Sequence, residues 1–192
     1  MTLKSPIALA LSLALLGASP IPAAVQGPEP EAEAGDATSP DLRSAEAAKL
    51  SVADAIAIAE EHAKGGTVLE VSFRMQGFRP TYALRTYQNN EVWEGAIDAN
   101  SGAILGPGDT TAERDLDDED KAELAGVRSA TTTLAQAVKT AEEHVKGKAV
   151  SGGVEATKGG VVWEVLVAAK GAAWTVGIDP RRGQVLSSNA KT

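Results

Sequence analysis

Two histidines are the side chains of this 192-residue sequence best suited to proton transfer or metal ligation, and they occupy matching settings. They close the stretches Ala59-Glu60-Glu61-His62 and Ala141-Glu142-Glu143-His144. An imidazole near a helix C-terminus is held by the partial negative charge there, and it can also ligate a metal or relay a proton. A shared metal site would require the C-terminal ends of both helices to converge. The adjacent glutamates do not form a catalytic dyad, because neighbours on a helix point about 100° apart. The chain contains no cysteine, which excludes disulfides, thiol catalysis, thiolate metal sites and a lipid-modified cysteine. The acidic run Glu113 to Glu123 fails as a calcium loop: counted from Asp115, it has Asp120 where the loop needs Gly and Gly126 where it needs Glu. No Gly-x-Ser-x-Gly elbow is present, and Lys158-Gly159-Gly160 does not open a helix as a phosphate loop must. With no nucleophile, base and orienter to assemble, the expectation is a non-enzyme without a cofactor. Trp93, Trp163, Trp174 and Tyr82 fall at core-facing strand positions. If a ligand is bound, the residues expected to line its site are His62, His144, Tyr82 and Trp163.

The elements that carry these residues occur twice. Ala55 to Gly65 matches Ala137 to Gly147 at an offset of 82; beyond the glycines the offset is 81, so that Tyr82 falls on Trp163, Trp93 on Trp174, Asp98 on Asp179 and Gly102 on Gly183. Each copy opens with a helix. Ser51 with Asp54, and Thr133 with Gln136, supply N-terminal capping boxes, and Gly65 and Gly147 are the expected left-handed stops. Val52, Ala55, Ile56 and Ala59, like Leu134, Ala137, Val138 and Ala141, recur at helical spacing. The period then changes to two through three runs per copy, including Leu69-Val71-Phe73 and Trp163-Val165-Val167, which predicts three strands joined by tight turns. The expected fold class is therefore α+β: two tandem modules, each one helix followed by a three-stranded antiparallel sheet packed on it. A copy of about 55 residues is near the lower size for an independent core, which favours packing of the two copies against each other.

Residues 1–24, with Lys4, the apolar run Ile7 to Leu16 and Pro22-Ala23-Ala24, have the layout of a secretory signal peptide. Residues 25–49, rich in Pro, Glu, Ala, Gly and Ser, read as a disordered leader, of which Ala45 to Lys49 could extend the next helix. Modules at 50–106 and 132–192 flank an acidic linker at 107–131, whose part from Asp117 to Leu124 suits one or two helical turns. The net charge of −8 becomes one unit more negative once Lys4 is removed, and it offers no footprint for nucleic acid. No run after the signal is long enough to span a membrane.

A helix ending in Ala-Glu-Glu-His-x-Lys-Gly, followed by strands that close on Ile97-Asp98-Ala99-Asn100-Ser101-Gly102-Ala103-Ile104-Leu105, resembles the PepSY domain family. The second copy keeps Asp179 and Gly183 but carries Pro180-Arg181-Arg182 between them. Modules of this family occur in propeptides of thermolysin-type secreted proteases and in envelope proteins. The resemblance implies an exported, periplasmic or extracellular, non-catalytic binding protein that modulates a secreted peptidase in trans, or binds another envelope protein, as a monomer or weak homo-oligomer. The alternative is an envelope sensor or a carrier holding a small ligand or metal between the copies.

Overall fold

A computed structural model of the chain describes residues 40–191; the expected signal peptide and residues 25–39 of the expected leader lie outside the described residues. The two copies correspond strand for strand. In the first, helix α2 (Val52–His62) precedes β1 (Thr67–Gln76), β2 (Arg79–Gln88) and β3 (Glu91–Asp98); in the second, α4 (Leu134–Val145) precedes β5 (Lys148–Thr157), β6 (Gly160–Ala169) and β7 (Ala172–Ile178). Each helix starts at its expected capping box, Ser51 with Asp54 and Thr133 with Gln136. Even the irregularities repeat. A bulge between Val68 and Glu70 has its counterpart between Ala149 and Ser151.

The expectation of two three-stranded sheets is corrected. The strands form one eight-stranded antiparallel sheet in the order β4-β3-β2-β1-β5-β6-β7-β8, where β4 is Asp109–Ala112 and β8 is Val185–Lys191. The copies join where β1 pairs with β5, through Glu70↔Gly153, Val71↔Gly152 and Ser72↔Ser151. At the repeat offset of 81, Val71 and Gly152 are equivalent positions and Glu70 is equivalent to Ser151. A local two-fold axis therefore passes between Val71 and Gly152. Pairing first strands removes two open edges and fuses two marginal cores into one.

One face of the sheet carries Val71, Phe73, Tyr82, Leu84 and Ile97 from the first copy and Trp163, Val165, Val167, Val176 and Ile178 from the second, all buried. Helices α2 and α4 cover this face through the alanine-rich stripes read from the sequence, and small residues allow the close approach. Gly147 shows how close. It does not supply the left-handed stop expected of it, since Lys146 takes that conformation at φ 59°. A Cβ at Gly147 would lie 2.3 Å from the Ala168 carbonyl, and one at its counterpart Gly66 would lie 2.9 Å from the Tyr87 carbonyl. The one-residue gap in the repeat falls at Gly65, in the left-handed turn of the first copy at φ 89°.

One further expectation is corrected and another is extended. The end of the presumed leader forms α1 (Pro40–Ala47), which packs on β1 and β5 with Ala45 and Ala48 buried; Lys148 Nζ donates to the carbonyls of Glu46 and Ala48 and so anchors the helix C-terminus. Because residues 48–51 interrupt the helix, α1 does not extend α2. In the acidic linker the helical turns expected from Asp117 to Leu124 are present and run further, as α3 (Asp118–Arg128) capped by Asp117, and ahead of them β4 extends the sheet and a 3-10 turn follows at Glu113–Asp115. Leu124 and Val127 on α3 are buried against the sheet, apolar positions that a charge-rich composition conceals. Among the described residues no helix is long and apolar enough to cross a membrane.

Candidate functional site

The four residues expected to line a ligand site do not come together. Each helix runs back along its following strand, and β1 and β5 are antiparallel, so the two-fold sends the helix ends bearing His62 and His144 to opposite ends of the layer. Both histidines are exposed. The His62 ring lies 5.0 Å from that of Trp93, tilted by 53°. Among the described residues no group of three or more His, Asp or Glu could hold a metal ion.

Tyr82 and Trp163 are each 1% exposed, and their polar ends are engaged. The Tyr82 hydroxyl donates to the Leu50 carbonyl at 2.9 Å, and Trp163 Nε1 donates to the equivalent Thr132 carbonyl at 2.8 Å. Burial, with the carboxylates of Asp54 and Glu142 nearby, pushes the Tyr82 hydroxyl up to about 12. The amides of the same two residues, Leu50 and Thr132, donate to Ala99 and Pro180, in the turns that close β3 and β7. Those turns are organised by aspartate: Asp98 Oδ1 accepts from the amides of Asn100 and Ser101, and Asp179 Oδ1 from those of Arg181 and Arg182. The repeated signature residues thus build one lock per copy, tying the residue just before the helix to a buried aromatic and to the last turn. Trp93 and Trp174 face the core as expected but are only half-buried, packing against its margin from β3 and β7.

The chemistry concentrates instead on the opposite face, beside the seam between the copies. An open cleft of about 230 Å³ is lined by Glu70, Arg85, Glu123, Glu155, Glu164 and Lys191, among others. Arg85, at a β2 position that alternates away from Tyr82 and Leu84, meets four carboxylates: Asp120 at 2.8 Å, Glu94 at 3.2 Å, and Glu70 and Glu123 at 3.9 Å. Asp120 and Glu123 come from α3, so Arg85 is also the pin that holds α3 on the sheet. A second tie lies at the other end of that helix, where Arg128 bonds Glu113 and the Tyr87 hydroxyl and its guanidinium sits 5.0 Å over the Tyr87 ring. Burial pushes the Glu123 carboxyl up to about 7, reinforced by Asp120, Glu155 and Glu119 against the pull of Arg85. Sequence comparison missed this site because it lies where the copies differ. Arg85 corresponds to Leu166 and Glu164 to Ala83.

A stability prediction follows from Glu123. The folded protein holds this proton more tightly than the unfolded chain, whose carboxyl titrates near 4.5. Its stabilisation is complete below about pH 4.5 and is lost as the pH rises through about 7. Thermal unfolding should therefore show wild type losing about 1 kcal/mol more than Glu123→Gln between pH 5 and pH 8, after allowance for solvent screening.

The comparisons with known proteins bear on the locks. The family described as PepSY, peptidase propeptide and YPEB domain, matches residues 49–106 and 132–189, more than half of the chain. The chain belongs to the PepSY family. Each matched PepSY segment contains one complete lock, from the residue before the helix to the aspartate turn. Among solved structures, a candidate lipoprotein from Clostridium difficile 630 is 20% identical, with a TM-score of 0.44 over 75% of this chain and 95% of that one. The Bacillus megaterium YpeB C-terminal domain is 11% identical, with a TM-score of 0.29 over 76% of this chain and 67% of that one. Among curated proteins, none matches.

Proposed function

We propose that this PepSY protein is an exported, non-catalytic binding protein that restrains a secreted peptidase in trans. Family membership supports the class of activity. The observation that carries the contact is the β1–β2 hairpin tip. Strand pairing continues to Gln76↔Arg79, which leaves only Gly77 and Phe78 in the turn, and the Phe78 side chain is fully exposed. Gly77, at φ 63°, meets the turn's backbone demand; nothing in the turn requires an aromatic beside it, and the second copy has Gly159 at that place. A ring carried on a two-residue turn between paired strands costs little backbone entropy on entering an apolar pocket. Arg74 and Arg79 flank it on an otherwise acidic chain, which suits a pocket with a carboxylate rim.

Assays against a panel of thermolysin-type metallopeptidases test both parts. Inhibition at micromolar protein is expected, with Phe78→Ala raising Ki about ten-fold or more, as loss of a buried phenyl should. Unchanged rates with wild type across the panel would reject peptidase restraint, whereas equal inhibition by wild type and Phe78→Ala would reject only the hairpin contact.

The carrier reading is supported by the acidic cleft at the seam, whose carboxylates suit an organic cation rather than His62, His144, Tyr82 or Trp163 as ligands. Spermidine, in a thermal-shift titration, should then raise the Tm of wild type more than that of Glu123→Gln. No shift in either protein removes this reading.

A further inference from the structure

The two outer edges of the sheet are built differently, although they belong to equivalent copies. On the first copy, β4 is only four residues long and follows Gly106-Pro107-Gly108. That segment folds over the margin: the Pro107 carbonyl accepts from Trp93 Nε1 at 2.9 Å, and a Cβ at Gly108 would lie 2.4 Å from the same nitrogen. Asp109 starts the strand, and Glu113 and Asp115 follow it. A short, proline-led, acidic edge is a protected one. The equivalent edge of the second copy has none of these devices. β8 runs for seven residues, Val185-Leu186-Ser187-Ser188-Asn189-Ala190-Lys191, without proline and without a charge before its last residue. Its Leu186 is 62% exposed, the only large exposed apolar residue besides Phe78 among the described residues. Trp174, the counterpart of Trp93, lies beside Ala190, with no carbonyl partner for its indole among the described residues. No described element lies beyond β8.

We propose that β8 pairs with β8 of a second copy of this chain, antiparallel and about a two-fold axis through Ser188. Three observations favour a second copy as the occupant. The chain already joins its own halves in this way, edge to edge about a two-fold through Val71 and Gly152. An axis at Ser188, the central residue of the strand, overlaps all seven residues and sets each exposed Leu186 opposite Ala190 of the other copy, while Lys191 faces Val185 rather than another lysine. Finally, β8 is an edge without acidic residues on an acidic chain, so two copies can meet there without opposing carboxylates, which the β4 edge would bring together. Such a contact is isologous and closes at two copies, whereas a heterologous edge contact would continue into a filament.

The absence of cysteine makes the test direct. In an antiparallel pair a residue on the axis faces itself at about 4.5–5.5 Å between Cα atoms, within disulfide range. Ser188→Cys in the full chain should oxidise rapidly to a covalent dimer, and Thr111→Cys on the β4 edge should not. Sedimentation equilibrium of wild type should show reversible association towards twice the monomer mass. Raising the salt should strengthen it by screening the net charge. Leu186→Glu should weaken it at least ten-fold with an unaltered Tm. A wild type that stays monomeric at all concentrations, as it would if another part of the same chain covered β8, overturns the proposal. So does cross-linking of Ser188→Cys no faster than that of Thr111→Cys.

Discussion

Replacing Arg85 by methionine should lower the unfolding free energy at pH 8 by about 3 kcal/mol, the lower end of what breaking a buried ion pair costs. The reason is what the arginine leaves behind. Its side chain is 18% exposed, and its two α3 partners, Asp120 and Glu123, are 11% and 13% exposed. Those carboxylates would face Glu70 and Glu94 without the guanidinium, and α3 would lose its tie to β2. Methionine keeps most of the stem's packing, so the loss reports the charge rather than the volume. The deficit should shrink at pH 5, because the carboxyls left without a guanidinium can take up protons. Glu123→Gln in the same background should restore about 1 kcal/mol at pH 8, and a double-mutant cycle read by urea unfolding isolates the coupling. A deficit independent of pH would show that α3 is held by the packing of Leu124 and Val127 alone.

Trp163→Ala should cost about 3–5 kcal/mol, the range for removing a large aromatic from a packed interior. Its indole is 1% exposed between α4 and β6, and its N–H satisfies the Thr132 carbonyl in a buried setting. Trp163→Phe refills most of the space and leaves that carbonyl unpaired, so a smaller loss of about 1–2 kcal/mol is expected. Trp174→Ala, at a half-buried position, should cost less than Trp163→Ala in the same urea titration. Equal losses for the two tryptophans would mean that the lock contributes nothing beyond ordinary burial.

These two residues mark what could be read in advance and what could not. Trp163 belongs to the repeat. Its alternation with Val165 and Val167 assigns it to the apolar face, and its match to Tyr82 assigns it a structural place in both copies. Local patterns suffice there because helix and strand periodicity, capping boxes and turn residues act over a few neighbours. Arg85 stands at a polar position of the same alternation, which by itself says only that it faces away from the helices. Its four carboxylates come from β1, β3 and α3, at sequence separations from 9 to 38 residues, and no local period encodes such a meeting.

The sequence by itself determined the duplication, the order of helix and strands in each copy, the capping boxes and the aspartate turns, because each is fixed by residues close along the chain. Tertiary structure alone decided that the copies share one sheet through β1 and β5, since any module's first strand offers an unpaired edge and only the assembled pair shows which edge is used. It also decided that the helix of the acidic segment is pinned by Arg85 and that the two histidines lie apart, because the antiparallel seam imposes a two-fold that sends the helix ends in opposite directions. That same seam leaves β4 and β8 as the outer edges, and only β8 remains unprotected.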